Sequence, residues 1–167
     1  MTTLHDQLRF KPDWRFLFSH PAHFLAFGFG SGLLPRAPGT AGTLVAFPIY
    51  WYLAPRLSDA LFILLLIWAF AIGVWVCEKT GRALGVADYG GIVWDEVVAF
   101  LLVLFFTPEG FFWSLLAFSL FRLFDIVKPP PIRHFDRTWH GGLGVMADDA
   151  MAAIYAKLCM ALVKSVL

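Results

Sequence analysis

The stretch that decides the fold is Ala60 to Cys77, ALFILLLIWAFAIGVWVC, eighteen residues without a charge. A helix needs about 20 predominantly apolar residues to cross a bilayer. The amphipathic helix of a soluble globule keeps a polar stripe, and this run has none. It is predicted to span a membrane. The whole chain agrees. Of its 167 residues 59% are hydrophobic and 15% charged, against about 45–50% and about 25% for an average soluble domain. Mean hydropathy is +0.71. Those values exclude a disordered chain, a coiled coil and a nucleic-acid binder with a basic face. Eighteen Phe and seven Trp suit a lipid-facing surface with interfacial aromatics.

Three weaker apolar regions flank this core. Ala41 to Ala54 contains Pro48 and can lengthen into the Gly/Pro-rich stretch before it. Val97 to Phe121 carries one charge, Glu109, inside the breaker Thr107 to Gly110, and reads as a helical hairpin with two short arms. Ala150 to Leu167 places Lys157 and Lys164 on one helical face, so it is amphipathic. Two short arms keep a very hydrophobic soluble bundle open as the alternative. The expected architecture is all-α: a multi-pass membrane bundle of four to five apolar helices. Residues 1–20 are too charged for a signal peptide and read as a cytoplasmic N-terminal segment. Residues 21–167 read as a single membrane domain. Cys77 and Cys159 have no metal-ligand spacing and read as reduced thiols in apolar runs.

Charge placement sets the orientation. Net charge is only +1, yet basic residues are unevenly spread. Arg9, Lys11 and Arg15 precede the first apolar region, Lys79 and Arg82 follow the strong span, and Arg122, Lys128, Arg133 and Arg137 follow the hairpin. With alternating spans all of them fall on one side, which the positive-inside rule makes cytoplasmic.

Three polar islands come out on that side. Gly28 to Thr43, GFGSGLLPRAPGTAGT, is too rich in Gly and Pro for a regular helix. Its backbone amides could cradle an anion, with Ser31, Arg36, Thr40 and Thr43 as further donors. A structural re-entrant turn explains it equally well. The second island ends in Asp95-Glu96 where an apolar helix begins. Capping accounts for one acid at a helix start and less well for two beside an apolar stretch. The third runs from Arg122 to Asp149 and holds Asp125, Lys128, Arg133, Asp136, Arg137, His140 and the pair Asp148-Asp149 at the start of the last helix. Headgroup anchoring accounts for its bases but not for its acids.

Asp95, Glu96, Asp125, Asp148 and Asp149 can converge at cytoplasmic helix ends. Clustered carboxylates repel unless protonated or neutralised. A hard divalent cation such as Mg²⁺ resolves that repulsion, and nearby Arg and Lys suit a phosphate. Metal, phosphate and membrane together point to phosphoryl chemistry on a lipid headgroup. Acids lining the pathway of a non-enzymatic cation transporter are the alternative. That role needs them within spans rather than at span ends.

In the loop Gly28 to Thr43, in Ile92 to Glu96 (IVWDE), and in the run from Phe121 to Asp149 (FRLFDIVKPPPIRHFDRTWHGGLGVMADD), the chain resembles bacterial phosphatidylglycerophosphatase A. The resemblance covers roughly Pro21 to the end. It implies a multi-pass enzyme of the bacterial inner membrane, active on its cytoplasmic face. Such an enzyme hydrolyses the terminal phosphate of phosphatidylglycerophosphate with Mg²⁺. Placed on these motifs, Asp95, Glu96, Asp148 and Asp149 are expected as metal ligands. Asp95, Glu96, Asp125, Asp149 and His140 are the expected catalytic residues. Ser31, Arg36, Thr40, Lys128, Arg133 and Arg137 are expected against the substrate. Rival phosphatase signatures are missing: neither cysteine has Arg at the required spacing, no DxD occurs, and Ser31-Gly32 is followed by Leu33. Attack by activated water or by an Asp nucleophile remains, with water preferred. No nucleic-acid partner is expected.

Overall fold

The computed structural model describes residues 11–130, 139 and 141–166. Among them the chain is all-helical, with no strand. Two short helices, α1 (Trp14–Ser19) and α2 (Pro21–Ala26), lead into 3₁₀ turns over Gly28–Leu33. Then come α3 (Pro38–Leu53), α4 (Asp59–Leu84), α5 (Trp94–Phe105), α6 (Phe111–Val127) and α7 (Gly141–Val166).

The decisive stretch lies inside α4. Ser58 caps its start, accepting from the Leu61 amide, and Gly85 in the left-handed region ends it. Its inner face buries Phe62, Leu66, Gly73, Val76 and Cys77, while Leu61, Leu64, Ile67, Trp68 and Trp75 stay exposed. Among the described residues α4 is the one helix long and apolar enough to cross a membrane.

Of the two hairpin arms only α5 is short, since α6 has 17 residues and runs past Phe121 to Val127. Helix α5 has 12 residues, about 18 Å at 1.5 Å per residue against a hydrocarbon core of about 30 Å. It is buried nearly all round, packed against α3, α4, α6 and α7. It is therefore the central post of the bundle. Helix α7 packs on α4, α5 and α6; from Ala150 onward it buries Ala152, Ala153, Ala156 and Met160 and leaves Ile154, Leu158 and Leu162 exposed.

Two boundaries differ from the sequence reading. The Gly/Pro-rich loop is irregular only to Ala37, and Pro38 to Thr43 already belong to α3. Pro38 opens the helix, where its missing N–H costs nothing. Gly39 and Gly42 let the helix approach its neighbours: a Cβ on Gly42 would meet Val93 at 2.6 Å. Second, Asp148 and Asp149 do not start the last helix, which begins at Gly141. The glycines of HGGLG extend it because Gly142 lies against Val74 O, too close for any side chain. Its amide donates to Glu78 Oε2 at 2.7 Å.

Candidate functional site

Three helices bring the acids together. Asp95 and Glu96 occupy the first turn of α5, and Asp149 sits in the third turn of α7. One carboxylate oxygen from each lies within 4.8 Å of the others. All three precede the apolar runs that begin at Val97 and Ala150. Asp95 is 7% exposed and Asp149 2%. Because Asp149 is far from a helix start, capping does not explain its burial.

Asp125, in the last turn of α6, borders this triad. Arg122, one turn earlier on α6, binds Asp125 at 2.5 Å and Glu96 at 3.6 Å. It also donates to Thr43 Oγ1 at 3.4 Å, which ties α3 to the site. Gly39 makes that approach possible, because a Cβ there would collide with Glu96 Oε1 and meet Arg122 at 3.2 Å. Asp148 turns away from the triad: it pairs with Lys128, and its Oδ1 accepts from the Asp149 amide at 2.9 Å.

The triad is short of positive charge. Asp95 Oδ1, Glu96 Oε2 and Asp149 Oδ2 are buried without a hydrogen-bond partner, as is Arg122 Nε. Buried carboxylates without partners are costly. Burial pushes Asp95 and Asp149 well above the usual carboxyl range, and neighbouring acids push them further. Glu96 rises to about 7, mainly through burial, with Asp125 adding and Arg122 opposing. A carboxyl raised in the folded state stabilises the fold below its unfolded pKa and loses that contribution as pH rises through the folded value. For Glu96 this window runs from 4.5 to about 7. The metal-free protein in chelator is therefore expected to melt at lower temperature at pH 8 than at pH 5. A melting temperature flat across that range would contradict the buried triad.

The remaining expected site residues are spread more widely. Arg36 is exposed in the loop before α3, and Thr40 is half-buried in the first turn of α3. Ser31 donates its hydroxyl to Gly28 O at 2.9 Å, within its own turn. Phe29 and Gly30 beside it have positive φ, so this loop is a tight, specific turn. Arg133, Arg137 and His140 lie outside the described residues. The sequence reading gave Arg122 no place in the site. Its signal was a lone cation in an apolar helix, three residues before Asp125.

A metal fits this donor set. Oxygen-only ligands with unmatched negative charge suit a hard cation. Among the described residues the Asp95, Glu96 and Asp149 group is the one cluster that could hold an ion.

The family model for phosphatidylglycerophosphatase A matches residues 24–164. A phosphatidylglycerophosphatase A of Escherichia coli K12 is 45% identical over 141 residues, 84% of this chain and 81% of that protein. One from Haemophilus influenzae is 46% identical over 138 residues, covering 82% and 85%. A Bacteroides thetaiotaomicron protein, provisionally named phosphatidylinositol-3-phosphatase, is 38% identical over 148 residues, covering 84% and 91%. No solved structure matches. With the family model spanning most of the chain and two relatives about 45% identical to it, the chain belongs to the phosphatidylglycerophosphatase A family.

Proposed function

We propose that the chain is a multi-pass membrane phosphatase that removes the terminal phosphate of phosphatidylglycerophosphate, with Mg²⁺ held by Asp95, Glu96 and Asp149. Residues 21–167 act as one membrane domain, with the acid cluster on the cytoplasmic face. The observation that carries this reading is the buried triad, whose three orphaned oxygens lie in a chain of this family.

When bound, the ion supplies positive charge at the phosphoryl oxygens. The chain's own residues do the rest. Arg122 offsets Glu96 and Asp125 and leaves its Nε–H for a phosphate oxygen. Asp125, beside Asp149, takes a proton from the attacking water as the bond between phosphorus and the glyceryl oxygen breaks. The departing oxygen needs a proton, and His140 is the proposed donor. Lys128 holds Asp148 out of the triad. Arg36, Ser31, Thr40, Arg133 and Arg137 are the proposed contacts to the headgroup.

The decisive assay is phosphate release by the purified protein from phosphatidylglycerophosphate, with Mg²⁺ and with chelator. Phosphatidylinositol 3-phosphate serves as the comparison lipid. Release that needs Mg²⁺ and favours the first lipid is the expected result. Release unaffected by chelator would remove the metal from the reading.

Orientation has its own test. Glu109 lies at the tip between α5 and α6, and Arg82 near the end of α4. In a background lacking Cys77 and Cys159, a cysteine at 109 should react with an impermeant reagent from outside intact cells. One at 82 should not. The reverse pattern would overturn the cytoplasmic placement.

A further inference from the structure

Beside the acid triad, α4, α5 and α7 enclose a groove of about 270 Å³ with no charged residue in its lining. Its geometry follows from helical spacing. Residues three and four apart share a helix face. On α5, Val98 and Ala99 stand three and four residues after Asp95, and both line the groove. On α7, Met146 stands three residues before Asp149 and four before Ala150, and both line it too. Each helix thus carries an acid of the triad and groove residues on adjoining positions of one face. From Asp95 to Leu102, the lining residue of α5 farthest along the helix from it, the axis advances about 10 Å. Ile63 and Ile67 form the α4 lip and are 36% and 61% exposed, so the groove opens sideways.

We infer that this groove seats one acyl chain of the lipid substrate, with the phosphorylated headgroup at the triad. The proposal rests on the phosphatase reading above. A flexible hydrocarbon chain matches the lining because it brings no hydrogen-bonding group that the walls would leave unpaired. An extended peptide brings an N–H and a C=O at each residue. Met146 gives the upper wall a flexible side chain that adapts to its contents. Ala99 and Ala150 keep the slot open because they are small.

The test compares phosphonate analogues of phosphatidylglycerophosphate, which are not hydrolysed, carrying two hexanoyl or two palmitoyl chains. Equilibrium binding is measured in mixed micelles, alongside hydrolysis of the matching substrates. In a micelle the chain is already out of water, so a seated chain gains only the close wall contacts that a loosely packed micelle interior lacks. The parent should therefore bind the long-chain analogue more tightly. Ala99→Phe, which fills the groove, should lower the long-to-short binding ratio at least about threefold. Leu102→Ala, which deepens the groove, should move the optimum of a chain-length series toward longer chains. A binding ratio unchanged in both variants would overturn the proposal, as would equal losses on both analogues. An unchanged ratio with a fall in oligomer mass would assign the groove to a second copy of the chain. A parent that binds the long-chain analogue selectively but releases no phosphate from either lipid would keep the groove and sink the phosphatase reading.

Discussion

Asp95→Asn and Asp149→Asn are each expected to lower phosphate release at least about a hundredfold, about 2.7 kcal/mol of transition-state stabilisation. Asn keeps the size of the side chain and removes the charge that would hold the ion. These two positions are the most informative because both are buried and both leave an oxygen unpartnered. Loss of activity alone would not separate a lost ligand from a damaged fold, but melting temperature does. In chelator the Asn variants should be at least as stable as the parent, since each removes a buried like charge from the triad. With Mg²⁺ at about 100 times its dissociation constant the parent gains about 2.7 kcal/mol, or about 5 °C or more for a chain this long. The variants should lose most of that shift. A variant that keeps both turnover and the Mg²⁺-dependent shift would place the ion elsewhere.

Much of this architecture is legible in the sequence because hydropathy is a strong, local signal. The uncharged run in α4 announces itself, and Pro129 with its neighbours marks where α6 must stop. Asp95 and Glu96 are conspicuous because charge beside an apolar run is expensive. Other features need the third dimension. That α5 is a buried post rather than a lipid-facing arm depends on four helices closing around it. Sequence length can show only that it is short. The HGGLG stretch looks like a loop by composition. Its glycines are helical from Gly141, where α4 presents Val74 and Glu78 so closely that only glycine fits at Gly142.

The site shows the same division. Residue type picks out five acids, but not which three face one another. Asp148 and Asp149 are neighbours in sequence, and on a helix adjacent side chains point in different directions. One joins the triad and the other meets Lys128. Arg122 is the converse case. It looks like one more cytoplasmic anchor, and only the fold shows α3, α5 and α6 meeting on its guanidinium.

That convergence gives Arg122 the second large expected effect. Its side chain and that of Glu96 are 15% and 12% exposed, so the pair is largely shielded from water. Removing one partner of such a pair leaves uncompensated buried charge and costs about 3 kcal/mol or more. For a chain of this size that is a fall of about 6–12 °C in melting temperature. Arg122→Leu should show it, together with a loss of phosphate release. Arg122→Lys should recover part of the stability, because an ammonium can still reach one carboxylate but cannot fork between two elements. The two roles of the residue are separable. In the double variant Arg122→Leu with Asp125→Leu, the closest ion pair becomes an apolar contact on a helix already rich in Phe and Leu. Such replacements are often neutral for stability. The double variant should regain most of the lost melting temperature and none of the lost turnover. Its chemistry would lack both the proton acceptor and the guanidinium. If it regains turnover as well, Arg122 and Asp125 only brace the bundle. If it stays as unstable as the single variant, the dominant contact of Arg122 is with Glu96 and Thr43 rather than Asp125, and its main task is holding α3 against α5.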